Sequence, residues 1–185
     1  MEKTEREQVL HYLADTREML IRSVDRLTAE QQFFRSAADR WSVADCVEHV
    51  TVVETNILKA IQRTLQGPPD PNQPGLTQGK DRTILEMVPS RQTRVKGPDA
   101  VMPNGRWPHF EALLLQFEAA RERSVRFAAV TQADLRAFAF PHPFLGPLDC
   151  YQWLLFLAAH CERHVHHLQE VKTDAAFPRT FSASV

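Results

Sequence analysis

The stretch LDCYQWLLFLAAHCERHVHHLQEVK, residues 148–172, decides how this chain is read. Apolar side chains recur at Tyr151, Trp153, Leu154, Phe156 and Leu157, and the stripe through Trp153 and Leu157 advances by three or four residues to His160, His164, His167 and Val171. That period is helical, and it puts histidines where core-facing residues are due. Residues four apart on a helix lie one turn above each other, with β-carbons about 5–6 Å apart, so His160 and His164 can aim two imidazoles at one ion. The same spacing also suits a polar helix end whose rings face water or bond a neighbouring carbonyl. His166 lies off this face, toward solvent. Four of the chain's eight histidines fall in this one segment.

Working outward, Leu148 is expected to open this helix and Lys172 to close it. Upstream, Val9, Leu13, Leu20, Val24 and Leu27 mark an amphipathic helix over Glu5–Leu27. Ser42, with Asp45 three residues on, is a near match to a capping box and starts a second helix. Its stripe runs through Val43, Val47, Val50, Ile57, Ile61 and Leu65 and must stop before Gly67-Pro68-Pro69. Pro108 suits the first turn of a third helix that runs to about Val130. Residues 67–107 hold seven of the twelve prolines and most of the glycines, broken by one helix-like stretch, Asp81 to Val88; they read as a long crossover. Phe138 to Pro147 carries three prolines and reads as a rigid extended connection, while the tail from Thr173 is irregular. Four helices without convincing strand alternation predict a single all-α domain over residues 1–185, a four-helix bundle. The crossover is too long for a tight antiparallel turn, so a simple up-down-up-down order is not expected.

Composition narrows the function classes. The 185 residues are 43% hydrophobic, with 22 basic against 23 acidic side chains and a formal net charge of −1. That is enough for one core and supplies no diffuse electrostatic attraction to nucleic acid or an anionic bilayer. Cys46, Cys150 and Cys161 lie in no C-x-x-C pair and suit a reducing compartment. The first residues are too polar for a signal peptide, and the longest apolar run, Trp153 to Ala159, is far short of the ~20 residues of a spanning helix. A cytoplasmic protein with neither membrane nor nucleic acid as partner is expected.

A metal site needs a third protein ligand. On the second helix His49 stands at the edge of the apolar stripe, one turn from Cys46. Alone, such a histidine is more often a hydrogen-bonded packing residue than a ligand; what matters is that a helix bundle brings two such edges together across its core. Taken in order, Trp41-Ser42-x6-His49-x4-Glu54, then Phe140-Pro141-His142-Pro143-Phe144-Leu145-Gly146-Pro147-Leu148, then Trp153-Leu154-x5-His160-x3-His164 resembles the DinB-like superfamily of four-helix-bundle metalloproteins, which includes the YfiT-type and the bacillithiol- or mycothiol-dependent enzymes. The resemblance covers nearly the whole chain. It implies a divalent ion held by His49, His160 and His164 with water at the remaining positions, an up-up-down-down order with the crossover between helices two and three, and a homodimer. Imidazole ligands suit zinc or nickel. The family often has Gln where this chain has His167, which leaves open whether His167 takes over a hydrogen-bonding role or competes for the metal.

Further candidates surround this set. Glu54, on the apolar side of helix two, reads as an acceptor behind the ligands, a general base, or a partly solvated ion pair. His142, held between prolines in a stiff loop, is a catalytic candidate that could line a pocket mouth, with a purely structural ring the commoner outcome. Cys46 lies near the site, although a free cysteine is usually a small buried apolar residue; Cys150 and Cys161 read as structural, and Arg91, Arg94 and Lys96 form a basic cluster suited to an anionic group or, more simply, to solvent. No P-loop, dinucleotide glycine fingerprint, G-x-S-x-G or H-E-x-x-H is present. The leading functional expectation is a metal-dependent enzyme on a small-molecule substrate, either a transferase using a low-molecular-weight thiol or a hydrolase. The alternatives are a non-catalytic metal-binding or stress-response bundle and a metal-free helical interaction module.

Overall fold

The computed structural model describes residues 1–69, 73–93 and 97–179. In chain order the helices are α1 (Lys3–Val24), α2 (Ala29–Phe33), α3 (Val43–Thr64), α4 (Gln73–Thr77), α5 (Lys80–Met87), α6 (Phe110–Val130) and α7 (Cys150–Lys172). Two strands, β1 (Ala139–His142) and β2 (Gly146–Asp149), lie between α6 and α7. Among the described residues no helix is long and apolar enough to cross a membrane.

Caps explain where the long helices begin. At α3 the Asp45 amide donates to Ser42 Oγ at 3.1 Å and the Ser42 amide donates to Asp45 Oδ2 at 2.7 Å, the reciprocal box expected from sequence. At α7 the cap is Asp149, whose carboxylate accepts from the Gln152 amide at 2.7 Å while Gln152 Oε1 accepts from the Asp149 amide at 3.1 Å. Leu148 therefore does not open that helix; it is fully buried in β2. Pro108 likewise stays outside α6, whose N-cap is His109.

The proline-rich connection before α7, expected as a rigid extended segment, is extended and pairs with itself as a two-stranded hairpin. Ala139 pairs with Asp149, Phe140 with Leu148, Pro141 with Pro147 and His142 with Gly146. The Cys150 amide donates to the Phe138 carbonyl at 2.8 Å, so hydrogen-bonded pairs fall at 138/150, 140/148 and 142/146. Pro141 and Pro147 thus face each other at a non-hydrogen-bonded pair, where neither would have had a ladder amide to give. Proline here does not forbid the strand, because both strands are edges. Gly146, at φ +68°, makes the left-handed turn that closes the loop.

Of the long helices, α1 packs on α6 and α7, and α3 packs on the same two. Contacts along the pairs give their directions. Tyr151 Oη donates to Gln8 Oε1 at 2.9 Å, Cys161 Sγ reaches the Thr16 carbonyl at 3.5 Å and Lys172 Nζ donates to the Ser23 carbonyl at 2.9 Å, so α1 and α7 run parallel. Arg6 bonds the Ala129 carbonyl and Arg17 bonds Glu118, so α1 and α6 are antiparallel. Cys46 meets His167 and His49 meets His160, so α3 and α7 are antiparallel. The helices therefore run up-down-down-up. This corrects the up-up-down-down order: that order needs two long crossovers, and the chain has one, joining the parallel pair α3 and α6.

Two clusters of buried side chains fill the interior. One holds Val53, Ile57, Trp153, Leu154 and Phe156 with the hairpin; the other holds Cys46, Val50, Phe117, Cys161 and Val165. On α3 and α7 the histidines stand at the seam between them. Across α1, α3 and α6 the core carries one buried charge pair, Arg121 with Glu54.

Candidate metal centre

His49 is brought to α7 by the antiparallel packing of α3. Its Nε2 lies 3.2 Å from His160 Nε2, and one ring nitrogen from each of His49, His160 and His164 lies within 4.8 Å of the other two. Two nitrogens each ~2.05 Å from a tetrahedral ion stand about 3.3 Å apart, so the 3.2 Å approach suits shared coordination. His49 Nδ1 is 2.8 Å from the Val101 carbonyl. A carbonyl only accepts, so Nδ1 carries the hydrogen and the Nε2 lone pair faces the cluster. This outer hydrogen bond fixes tautomer and ring orientation, as outer partners of metal-binding histidines commonly do. His164 is 6% exposed and its Nδ1 has no hydrogen-bond partner among the described residues, a costly arrangement for a buried polar atom. The donors present fit a divalent ion.

The electrostatics agree. Burial pushes the His49 pKa below its usual value, against a smaller opposing effect of the Val101 carbonyl. Burial, and then the neighbouring His49, Arg163 and His142, hold His160 well below 6.5. His164 is lowered by burial, then by His160, His49, His167 and Arg91. All three rings are thus neutral at pH 7, the form whose lone pairs ligate a metal.

The crossover builds the outer wall. Glu48, 3% exposed, accepts from the amides of Asn104 and Gly105 at 2.9 and 3.0 Å and from Arg106 Nη1 at 2.7 Å. This clamp holds the turn 99–101 over His49, and Gly97 comes so close that a β-carbon there would sit 3.7 Å from His49 Cε1. In the Glu48→Ala variant the turn and its Val101 carbonyl should loosen. Divalent-metal affinity, measured by competition with a chromophoric chelator, should then fall at least about tenfold; an unchanged affinity would show that the turn does not orient His49.

Trp41 covers the other side. Its ring stacks on His164 at 5.7 Å and 17° and on His167 at 5.8 Å and 28°, and tilts against His49 at 4.9 Å. His142 is one ring removed: it packs on Phe156 at 4.7 Å, and Phe156 stacks on His160 at 5.4 Å. His142 Nδ1 accepts from the amides of Phe144 and Leu145, both at 3.1 Å, so its hydrogen is on Nε2. Burial pushes its pKa down to about 4. An unfolded chain takes up that proton near pH 6.5, so between pH 6.5 and 4 the unfolded state binds more protons and the native state loses stability as the pH falls. The midpoint of thermal unfolding of metal-free protein should drop across that window, and less steeply in His142→Gln; identical slopes would acquit this ring.

Other expected site residues are placed elsewhere. Both oxygens of Glu54 accept from Arg121, at 2.8 Å (Nε to Oε1) and 2.9 Å (Nη2 to Oε2), and Glu54 is 1% exposed. Five residues beyond His49 it points to α1 and α6, so it is neither a general base at the cluster nor a solvated pair. Arg91 is spoken for by Glu170 on α7, at 3.0 and 2.7 Å, while Arg94 and Lys96 lie outside the described residues. His166 is exposed, as expected, with Nδ1 3.1 Å from the Pro89 carbonyl. Cys150 and Cys161 are buried away from the cluster, but Cys46 Sγ is 3.4 Å from His167 Nδ1. Sequence reasoning missed the Glu48 clamp and the Val101 carbonyl. The Asn104-Gly105 pair is a turn signal that could have marked the clamp, but nothing in a side-chain pattern announces which backbone carbonyl meets an imidazole.

Two comparisons with known proteins bear on this chain. The uncharacterized protein YuaE of Bacillus subtilis (strain 168) is 20% identical over 147 residues, covering 79% of this chain and 86% of that protein. A family model described as the DinB superfamily matches residues 12–168, a span that includes Trp41, His49, the hairpin and the His160/His164 pair. The chain belongs to the DinB superfamily.

Proposed function

We propose that the protein is a divalent-metal-dependent enzyme acting on a small molecule, with His49, His160 and His164 as the ligands of a zinc or nickel ion. The observation that carries this reading is the convergence of three neutral imidazoles from α3 and α7, one with its tautomer set by Val101 and one with a buried nitrogen that has no hydrogen-bond partner among the described residues. A divalent ion held by three neutral ligands keeps its charge and open positions, and so favours the deprotonated, nucleophilic form of a thiol or water. The chain's own residues then bind and orient. Trp41 walls one side and keeps bulk water from His164, while Phe156 and Trp153 supply an apolar surface beside His160. His142, neutral with its hydrogen on Nε2, donates to an oxygen of the substrate and takes up no proton at neutral pH. Among the reactions open to such a site we favour transfer to a low-molecular-weight thiol, because thiolate is a softer ligand than water.

Cobalt substitution tests the choice. Titrating the cobalt form of the Cys46→Ala variant with several cellular thiols should add a sulfur-to-cobalt charge-transfer band for at least one of them. If none does while azide or acetate perturbs the spectrum, the hydrolase reading replaces the transferase one. If neither thiol nor anion has any effect, the ion has no open position and the non-catalytic metal-binding reading stands.

A further inference from the structure

We propose that Cys46, His164 and His167 form a second donor set, overlapping the three-imidazole set at His164, that holds a thiophilic metal ion. Three observations carry it. Cys46 Sγ lies 3.4 Å from His167 Nδ1, and one ligand atom from each of Cys46, His164 and His167 lies within 4.8 Å of the other two. His164, 6% exposed and with Nδ1 lacking a hydrogen-bond partner among the described residues, belongs to this set as well as to the first. The Trp41 ring lies flat over both of its imidazoles, so they share one face and one shield from solvent. Antiparallel packing produces the pair of sets: descending α3 from His49 to Cys46 is one turn, and so is ascending α7 from His164 toward His167.

The two sets differ in softness. Three imidazoles suit borderline divalent ions, whereas one thiolate with two imidazoles favours thiophilic ions such as cadmium or monovalent copper. Burial raises the Cys46 pKa, so without metal the sulfur keeps its hydrogen. On ligation the S–H bond breaks, the proton passes to water, and the sulfur electron pair forms the bond to the ion; no oxidation state changes. His167 and His164 each contribute a neutral lone pair. A neutral imidazole has one lone pair, so His164 serves one set at a time. The two sets compete, and the identity of the bound ion decides which helix turns are tied together. His167 then does more than replace a hydrogen-bonding side chain: it gives the chain a way to distinguish soft from borderline ions.

Cadmium, added alone to full-length protein purified without a polyhistidine tag, is the probe. Ultraviolet difference absorption should show a thiolate-to-cadmium charge-transfer band that saturates at one equivalent per chain. The band should vanish in Cys46→Ser, weaken at least tenfold in apparent affinity in His167→Ala, and persist in His49→Ala, which abolishes the first set only. Circular dichroism and zinc binding of Cys46→Ser report whether that variant is folded, and His167→Ala, at a half-buried position, provides the second variant. The proposal falls if wild type gives no band, if the band survives in Cys46→Ser, if His167→Ala leaves the affinity unchanged, or if His49→Ala removes it. Retention of two ions per chain, zinc with cadmium, would overturn the sharing of His164. Zinc loss in His49→Ala with the cadmium band intact separates this outcome from any failure of the three-imidazole site.

Discussion

His160→Ala and His164→Ala should each strip the purified protein of the single zinc or nickel ion that wild type retains. Loss of one of three ligands removes a direct bond, so affinity should fall well beyond the about 10–100-fold that loss of an outer partner costs. Elemental analysis of untagged protein is the first measurement. Thermal unfolding is the second: metal at 100 times its dissociation constant stabilises a folded chain by about 2.7 kcal/mol, which for 185 residues raises Tm by about 5–10 °C. That rise should appear in wild type and vanish in both variants. Stoichiometric metal in both would remove His160 and His164 from the site, and with them the enzymatic reading. The variants should fold, since a ring with lowered pKa is already neutral and its loss strands no charge.

Arg121→Leu should be the most destabilising single change at a position remote from the cluster. Arg121 is fully buried, and besides Glu54 its Nη1 donates to the Leu13 carbonyl at 2.6 Å and to Thr16 Oγ1 at 2.9 Å. Burial works against its charge, yet the adjacent Glu54 carboxylate outweighs this and holds the guanidinium protonated. Removing it leaves a buried carboxylate without its partner and takes a donor from the Leu13 carbonyl and Thr16 Oγ1, a loss of about 3–5 kcal/mol and roughly 10 °C in Tm. Replacing both partners removes the stranded charge, so Glu54→Leu/Arg121→Leu should recover much of the deficit. A single variant within about 2 °C of wild type, or a double variant worse than the single, would show that the pair does not tie α1, α3 and α6 together. Metal content should be unaffected in folded protein, in keeping with a structural Glu54.

The difference between these residues shows how far side-chain patterns reach. The 3.6-residue period of His160, His164 and Val171 continues an apolar stripe, so their common face could be read directly, and antiparallel packing then delivered His49 to it. Glu54 was legible as a residue on the buried side of its helix but not as the mate of Arg121, because the two are 67 positions apart and only the packing of α3 on α6 makes them neighbours. The hairpin was obscured by its prolines. Their cost in a strand depends on whether a ladder bond is lost, and the register that places Pro141 opposite Pro147 spares it.

Helical class, helix ends marked by Ser42 and Gly67, and the histidine face were determined by local sequence, since periodicity and capping act within a turn or two of chain. Helix direction, the Val101 bond that sets the His49 tautomer, the clamp by Glu48 and the meeting of Cys46 with His167 were decided by tertiary structure alone. Each joins groups 50 or more residues apart through a backbone carbonyl, an amide or a shared level along two helices, and such contacts leave no period in the sequence of either partner.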